Sequence, residues 1–254
     1  MRIDSYLYQN LIYQSRTKAS EAILRGDVYV NGKPVKKPSF EVNENDKIEV
    51  IETSQVFVSN GGYKLEKAFE DFKFSAERLT FADVGASTGG FTDCLLKRGA
   101  KKVFAIDVGE SLLSPELQAN EKVVVIDNFN ARNLRIETLG GLVDGVVCDV
   151  SFISLTYVLT QIYSVLKDNG FAIVLIKPQF ECGKKQLNKN GIVTDKKARI
   201  ECVEKIFDFA KALGFSISNF TNAPIKPDKN REYLLMLSKR QSKHLNLTTI
   251  ESLI

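Results

Sequence analysis

Asp83, Asp107, Asp127 and Asp149 each stand at the end of an apolar run, and the loop Gly85-Ala86-Ser87-Thr88-Gly89-Gly90 comes after the first of them. Glycine is costly inside regular elements, so three in six positions point to a place where bare backbone is needed. In a doubly wound sheet, ligands lie beyond the carboxyl ends of the strands, at the switch point, and a loop after the first strand occupies that place. The spacing G-x-x-x-G-G fits a dinucleotide fingerprint poorly, and the G-K-[ST] of a phosphate-binding loop is absent. Glycine spacing alone leaves the ligand open. The acids narrow it. Asp107, ending the second strand, can accept both ribose hydroxyls of a nucleoside, and Asp127 or Asn128, ending the third, lies where an adenine edge would be. An adenosyl ligand with a cationic centre and no phosphates, S-adenosylmethionine, suits this set. Asp83, Gly85, Ala86, Ser87, Gly89, Gly90, Asp107, Asp127, Asn128 and Asp149 are its expected contacts, the glycines admitting its amino-acid and ribose portions to the backbone.

The segment after the fourth strand bears on the methyl acceptor. "CDVSFISL" lacks the Asn/Asp-Pro-Pro-aromatic turn of exocyclic-amine methyltransferases, and neither Cys148 nor Cys182 has the preceding proline of a carbon-5 pyrimidine enzyme. What remains is Lys64 before the core, Asp149 after strand four, Lys177 after strand five and Glu232 on the last strand. That set suits a ribose 2'-hydroxyl. The alcohol is a poor nucleophile, and a lysine of lowered pKa beside it can orient it or remove its proton. Two carboxylates and a second lysine tune that pKa by charge.

Composition sets the frame. The chain has 254 residues, 44% hydrophobic and 26% charged, enough for one large domain or a large and a small one. Its apolar runs are far shorter than the roughly 18 residues of a membrane span, and the N-terminus lacks the continuous apolar core of a secretory signal. Four cysteines without C-x-x-C spacing are expected as free thiols in a reducing cytoplasm. The single histidine, His244, lies in a polar tail, so a Ser-His-Asp triad or a histidine-rich zinc site is not expected, and no metal is assigned. The net charge of +4 is small, but residues 16–37 hold Arg16, Lys18, Arg25, Lys33, Lys36 and Lys37 against Glu21 and Asp27. Residues 182–199 hold five lysines, Lys184 and Lys185 among them, and Arg199 against Asp195. Two such segments on a nearly neutral chain suggest a directed polyanion contact.

Periodicity defines the elements that must position these residues. Residues 1–52 read as a small α+β unit. A first helix has Leu7, Leu11 and Ile12 on one face; a second is capped by Ser15, with Ala19, Ala22 and Ile23 inward and Gly26 at its end. A hairpin then turns at Asn31-Gly32, and a strand lies within Asp46 to Ile51. Residues 53–60 read as a linker whose "VFV" packs somewhere, and residues 61–254 as the second domain. "YKLEKAFEDF" is a helix with Leu65, Phe69 and Phe72 inward. Beyond it strands and helices alternate, which means a largely parallel sheet covered on both faces, a Rossmann-like α/β fold. The last two strands join without a helix, so one runs antiparallel.

In the small unit, Arg2, Asp4, Ser15, Arg16, Lys18, Ala19, Ile23, Gly26, Val28, Val30, Asn31 and Gly32 form a pattern that resembles the alpha-L RNA-binding module first known from a small-subunit ribosomal protein. The resemblance implies structured RNA as partner, met by Arg2, Arg16, Lys18, Arg25, Asn31 and Lys33, with Lys184 and Lys185 adding a basic patch on the second domain. "GGYKLEKAF", "DVGASTGGFTDCLLKRGAKKVFAIDVG", "CDVSFISL", "IKPQFECGK" and "NREYLL" resemble the FtsJ-like ribose methyltransferases, and more closely the TlyA family, also called haemolysin A, which joins that domain to the alpha-L module. The resemblance implies 2'-O-methylation of cytidine in ribosomal RNA or an assembled subunit with S-adenosylmethionine, and its Lys-Asp-Lys-Glu set falls on Lys64, Asp149, Lys177 and Glu232. One departure is Ser59-Asn60-Gly61 where the family commonly has Ser-Arg-Gly. Short tails resemble the family's shorter form, associated with the large subunit. Two other readings stand beside this one: a pore-former, which would need an amphipathic inserting segment, and a non-catalytic ribosome-assembly factor, against which the intact charged set argues.

Overall fold

The structure is a computed structural model that describes residues 1–13, 15–51, 57–224, 229–240 and 245–254, without the side chain of Arg25. The chain divides into two compact units, Met1–Val56 and Phe57–Ile254. His244 and residues 53–56 of the expected linker lie outside the described residues.

In the first unit, helix α1 (Ile3–Gln9) precedes α2 (Arg16–Arg25), and the hairpin of β1 (Val28–Val30) and β2 (Lys33–Pro34) is joined by β3 (Ile48–Val50) in the order β2-β1-β3. Ser15 caps α2 by accepting from the Lys18 amide, worth about 1 kcal/mol. Gly26 ends it at φ +91°, in the left-handed region that only glycine enters freely. Asn31 and Gly32 both take positive φ, as a two-residue hairpin of this twist requires. Ala19, Ala22 and Ile23 are fully buried with Ile3 and Leu7. The first helix is shorter than its sequence pattern: it stops at Gln9, so Leu11 (φ +57°, 88% exposed) and the exposed Ile12 leave the face occupied by Leu7.

The second unit runs α3 (Asn60–Phe72), β4 (Thr80–Val84), α4 (Gly90–Lys97), β5 (Lys102–Ile106), α5 (Pro115–Gln118), β6 (Val123–Ile126), α6 (Ile136–Leu139), β7 (Val143–Cys148), α7 (Leu159–Val165), β8 (Leu166–Ile176), α8 (Pro178–Glu181), α9 (Lys196–Ala212), β9 (Ser216–Asn222), β10 (Tyr233–Ser238) and α10 (Leu247–Leu253). The sheet order is β6-β5-β4-β7-β8-β10-β9. β4 to β8 are mutually parallel, and β10 is antiparallel to both β8 and β9. Successive strand side chains face opposite layers. Phe81 packs with Leu65, Phe69 and Phe72 of α3 and Leu95 of α4, whereas Ala82 and Val84 pack with the layer holding Ile162 of α7, Val203 and Phe207 of α9, and Ile250 of α10. Phe57, at the start of the unit, is buried with its ring edge-on to Tyr63 at 5.1 Å. The C-terminal helix α10 has no periodic signal beyond Ile250 and Ile254, both buried.

Candidate active site

β4 lies between β5 and β7, so the chain crosses from one half of the sheet to the other there, and the ends of β4, β7 and β8 face one cleft. The loop after β4 takes positive φ at Gly85, Ser87 and Gly89 (+85°, +49°, +95°). Its Gly85 and Ala86 amides donate to the Ile106 carbonyl, the Ser87 amide to Asp107 and the Gly89 amide to the Ala86 carbonyl, so the loop is held by the protein's own acceptors. A cavity of about 170 Å³ opens there, lined by Ser59, Gly61, Gly85, Ala86, Ser87, Thr88, Gly90, Phe91, Asp149, Ser151 and Lys177.

The glycines serve packing more than the sequence implies. A Cβ on Gly85 would lie 2.7 Å from the Asp149 carbonyl oxygen. One on Gly90 would lie 2.3 Å from Ser59 Oγ and 2.8 Å from the Gly62 nitrogen, so Gly90 lets the start of α3 close on α4. Gly89 does not line the cavity: its Cβ would strike Leu117 Cδ1 at 2.3 Å and Leu113 Cδ1 at 2.7 Å. The expectation that its bareness admits a ligand is corrected; two leucines occupy that space.

Asp83 is fully buried beneath the loop rather than lining it. Thr92 Oγ1 donates to its Oδ2 at 2.7 Å, and its Oδ1 has no partner among the described residues. Burial pushes the carboxyl up to about 7, with Asp149 and Asp107 adding to the rise and the Thr92 hydrogen bond opposing it. Asp107 accepts from the Ser87 amide at 2.8 Å and the Gly109 amide at 2.9 Å, one on each oxygen, which leaves acceptor capacity on both. Asp127 accepts from the Ser111 amide at 2.9 Å, and Asn128 is exposed at φ +55°.

Lys64, Asp149, Lys177 and Glu232 converge. Asp149 and Lys177 come directly after the adjacent parallel strands β7 and β8, and Glu232 precedes β10, whose Tyr233 pairs with Ile176. Lys64 Nζ donates to Glu232 Oε2 at 2.7 Å and lies 3.7 Å from Asp149 Oδ2. Lys177 Nζ is 2.5 Å from Asp149 Oδ1 and donates to Ser151 Oγ at 2.7 Å. The two cations and two anions balance. Burial by itself would lower the Lys64 pKa, but the Asp149 and Glu232 carboxylates outweigh it and hold the ammonium above the ordinary lysine range. Lys64 is therefore a fixed cation. Sequence reasoning missed Ser151, two residues beyond Asp149, and Gln179, which donates to Glu232 Oε1 at 3.3 Å. It also missed Phe152, 86% exposed at φ +65°, whose ring lies 5.0 Å from that of Phe180.

The cleft fits a sulfonium nucleoside. Asp149 lines the cleft, Asp107 braces the loop at Ser87, and Lys177 is the one cation among the described lining residues. Among the described residues no group of three or more His, Cys, Asp or Glu could hold a metal, and no helix is long and apolar enough to cross a membrane.

In the first unit, the buried Asp4 gathers Arg2 and Arg16, each with an Nη2 at 2.9 Å from Oδ2, while both arginines stay half exposed. Burial alone would raise the Asp4 carboxyl, but the Arg2 and Arg16 hydrogen bonds hold it down at about 2. Lys18 and Lys33 are exposed; the Arg25 side chain lies outside the described residues. Asn31 is exposed and also braces the fold, its Nδ2 donating to Asp46 at 2.7 Å and its Oδ1 accepting from the Lys47 amide at 2.9 Å. Lys184 and Lys185 are exposed on a short 3-10 turn, but Arg199 of the same basic segment is buried and donates to the carbonyls of Val193 and Thr194.

Residues 57–240 match the FtsJ-like methyltransferase family and residues 1–48 the S4 domain. The chain is 43% identical to Hemolysin A of Brachyspira hyodysenteriae, over 92% of this chain and 98% of that protein. It is 37% identical to the 16S/23S rRNA (cytidine-2'-O)-methyltransferase TlyA of Mycobacterium tuberculosis, over 100% of this chain and 95% of that one. Among solved structures, a protein of Streptococcus thermophilus named a hemolysin is similar with a TM-score of 0.75 at 34% identity, covering 100% of this chain and 94% of that one.

Proposed function

The chain belongs to the FtsJ-like methyltransferases that carry an N-terminal S4 domain, with S-adenosylmethionine as methyl donor, and from that premise we propose that it methylates the ribose 2'-hydroxyl of a cytidine in ribosomal RNA, with the large subunit favoured. The observation that carries this reading is the convergence of Lys64, Asp149, Lys177 and Glu232 beside the cavity of the glycine loop. Ribosomal RNA and cytidine are supported by relatives named 16S/23S and 23S rRNA (cytidine-2'-O)-methyltransferases. Such a substrate places the protein in the cytoplasm.

The cofactor supplies a methyl group already activated by its sulfonium. The Gly85–Gly90 loop and Asp107 would hold its amino-acid and ribose portions, with Asp127 and Asn128 at the adenine. The protein's work is placement, which can account for most of a displacement's acceleration. Lys177 Nζ donates to Ser151 Oγ and lies 2.5 Å from Asp149 Oδ1, so these two groups fix where it can meet the incoming ribose hydroxyl. In its amine form Lys177 would take the hydroxyl proton as the ribose oxygen bonds the methyl carbon and the carbon–sulfur bond breaks, leaving a neutral thioether. Lys64, held as a cation, keeps Asp149 and Glu232 in place. Phe152 offers an exposed ring beside the pocket on which a target base can stack. Arg2 and Arg16 present two guanidinium groups for phosphate, and Lys18, Lys33, Lys184 and Lys185 add to the basic surface.

Transfer of labelled methyl from S-adenosylmethionine to purified ribosomal subunits tests this, together with ribose-methylation mapping of rRNA from cells with and without the protein. Absence of label on both subunits and on naked rRNA would refute it.

A further inference from the structure

We infer that Glu181 is a positioning residue for methyl transfer: from the one-turn helix α8 it hooks the loop after β7, and through that loop it sets where Asp149 and Ser151 meet Lys177. This rests on the reading of the pocket as a ribose methylation site.

The Glu181 side chain is 1% exposed. Its Oε2 accepts from Ser154 Oγ at 2.5 Å, its Oε1 from the Leu155 amide at 2.7 Å, and Lys205 Nζ stands 3.2 Å from Oε2 as counter-ion. Lys205 also donates to the Glu181 carbonyl at 3.2 Å, which ties α9 to α8. Glu181 comes four residues after Lys177, and Ser154 five after Asp149. The loop is thereby fixed at both ends. At its start the Asp149 amide donates to the Val84 carbonyl at 3.0 Å; at its far end Ser154 and Leu155 are held by Glu181. Between these anchors lie Ser151, which accepts from Lys177, and Phe152 at φ +65°. A non-glycine residue in that region persists only where its surroundings over-determine the backbone. A buried carboxylate is an expensive way to pack two helices, and apolar residues of similar size would do as well. Its use here is to accept a loop amide and a loop hydroxyl at once. Pairing of Lys177 with the loop and of Glu181 with the same loop makes two clasps between the segments that come after β7 and β8.

The test compares Glu181→Gln and Ser154→Ala in the full chain. Ser154→Ala removes the hydroxyl that bonds Glu181, Thr156 and Lys205 but leaves the Glu181–Lys205 pair and the Leu155 amide bond to Glu181, so it covers the case in which Glu181→Gln fails to fold. Single-turnover transfer to ribosomal subunits is measured at saturating RNA and cofactor, well below each variant's melting temperature. The rate is expected to fall roughly 10- to 100-fold, the scale of a misplacement near 1 Å. Cofactor affinity by calorimetry should stay within about two-fold, so that the loss appears in kcat and not in binding. The pH–rate profile should move, because Asp149 no longer stands fixed against Lys177. Hydrogen exchange at the Leu155 amide should accelerate in Glu181→Gln. Rates within about two-fold of the parent in both variants, or a loss matched by an equal loss of cofactor affinity, would overturn the inference. If the parent transfers no methyl to ribosomal RNA, the functional reading has failed instead, and unchanged Leu155 exchange in Glu181→Gln would then overturn the hook itself.

Discussion

Lys177 Nζ sits between Asp149 Oδ1 at 2.5 Å and Ser151 Oγ at 2.7 Å, on a side chain only 10% exposed. A nitrogen bracketed in this way has a defined direction left over. Lys177→Ala should lose transfer by roughly 100- to 10,000-fold, the range for a removed acid–base group, and still bind cofactor. Lys177→Arg should fail as well, because a planar guanidinium neither fits the bracket nor gives up its proton. Single-turnover rates decide, and a rate for Lys177→Arg within a few-fold of the parent would show that this lysine only closes a strand.

Lys64 and Glu232 form the second pair of the cluster. Lys64→Met should destabilise the fold, since two carboxylates lose their shared cation; Lys64→Met with Glu232→Met should recover much of that stability. Neither should recover the rate, which is expected to stay down by roughly 100-fold or more. Thermal melts beside transfer assays separate the two effects, and a double variant with parental rate would remove Lys64 from the chemistry.

Gly89 faces Leu113 and Leu117, and its φ of +95° disfavours any side chain. Gly89→Ala should therefore cost about 1–3 kcal/mol from overpacking, with added backbone strain, and lower the melting temperature. Loss of cofactor affinity with an unchanged melting temperature would contradict the packing argument.

Asp83 and Asp4 give opposite pH dependences. Asp83 has its carboxyl raised from 3.8 to about 7, so the folded protein binds a proton there that the unfolded chain releases. Its contribution is fully present below pH 3.8 and lost as pH rises through 7. Asp4 is depressed to about 2, so its contribution is present above pH 3.8 and lost as pH falls through 2. Melting temperature against pH should decline for the parent between about 4 and 7 relative to Asp83→Asn, and a parallel pair of curves would rule out the buried protonated carboxyl.

Arg2 and Arg16 share Asp4 and keep half of their surface in solvent. Arg2→Ala and Arg16→Ala should each weaken RNA binding across sequences and reduce the slope of log affinity against log salt by about 1. A slope unaltered in both variants would place the RNA elsewhere.

Much of this was legible in one sequence because period and turn chemistry agree locally. Asn31-Gly32, Ser15 and Gly26 have meanings set by their immediate neighbours, and the alternating β and α elements after Leu79 announce a covered parallel sheet. Asp149, Lys177 and Glu232 were legible because they flank strand ends of such a sheet, whereas Lys64 reaches them from helix α3. What escaped depends on distant packing. Nothing near Gly89 in the chain shows that Leu113 and Leu117 will lie against it. Leu11 and Ile12 continue a helical pattern that the backbone abandons at Gln9. Arg199 counts as one more cation in a basic segment until α9 turns it toward the carbonyls of Val193 and Thr194. The sign of the Lys64 shift required knowing that two carboxylates, one of them 168 residues away, reach it together.

β10 slots between β8 and β9, and Glu232 comes in with it. A nascent chain that has not yet emerged past this strand has an unfinished sheet with an open edge at β8 and holds only three of its four charged partners. Contacts this remote in sequence form late, because the intervening chain must be ordered first. On the proposed reading, the charged set of the pocket is therefore completed only when β10 is in place. A polypeptide released early, for whatever reason, carries a nucleoside cleft without the means to use it.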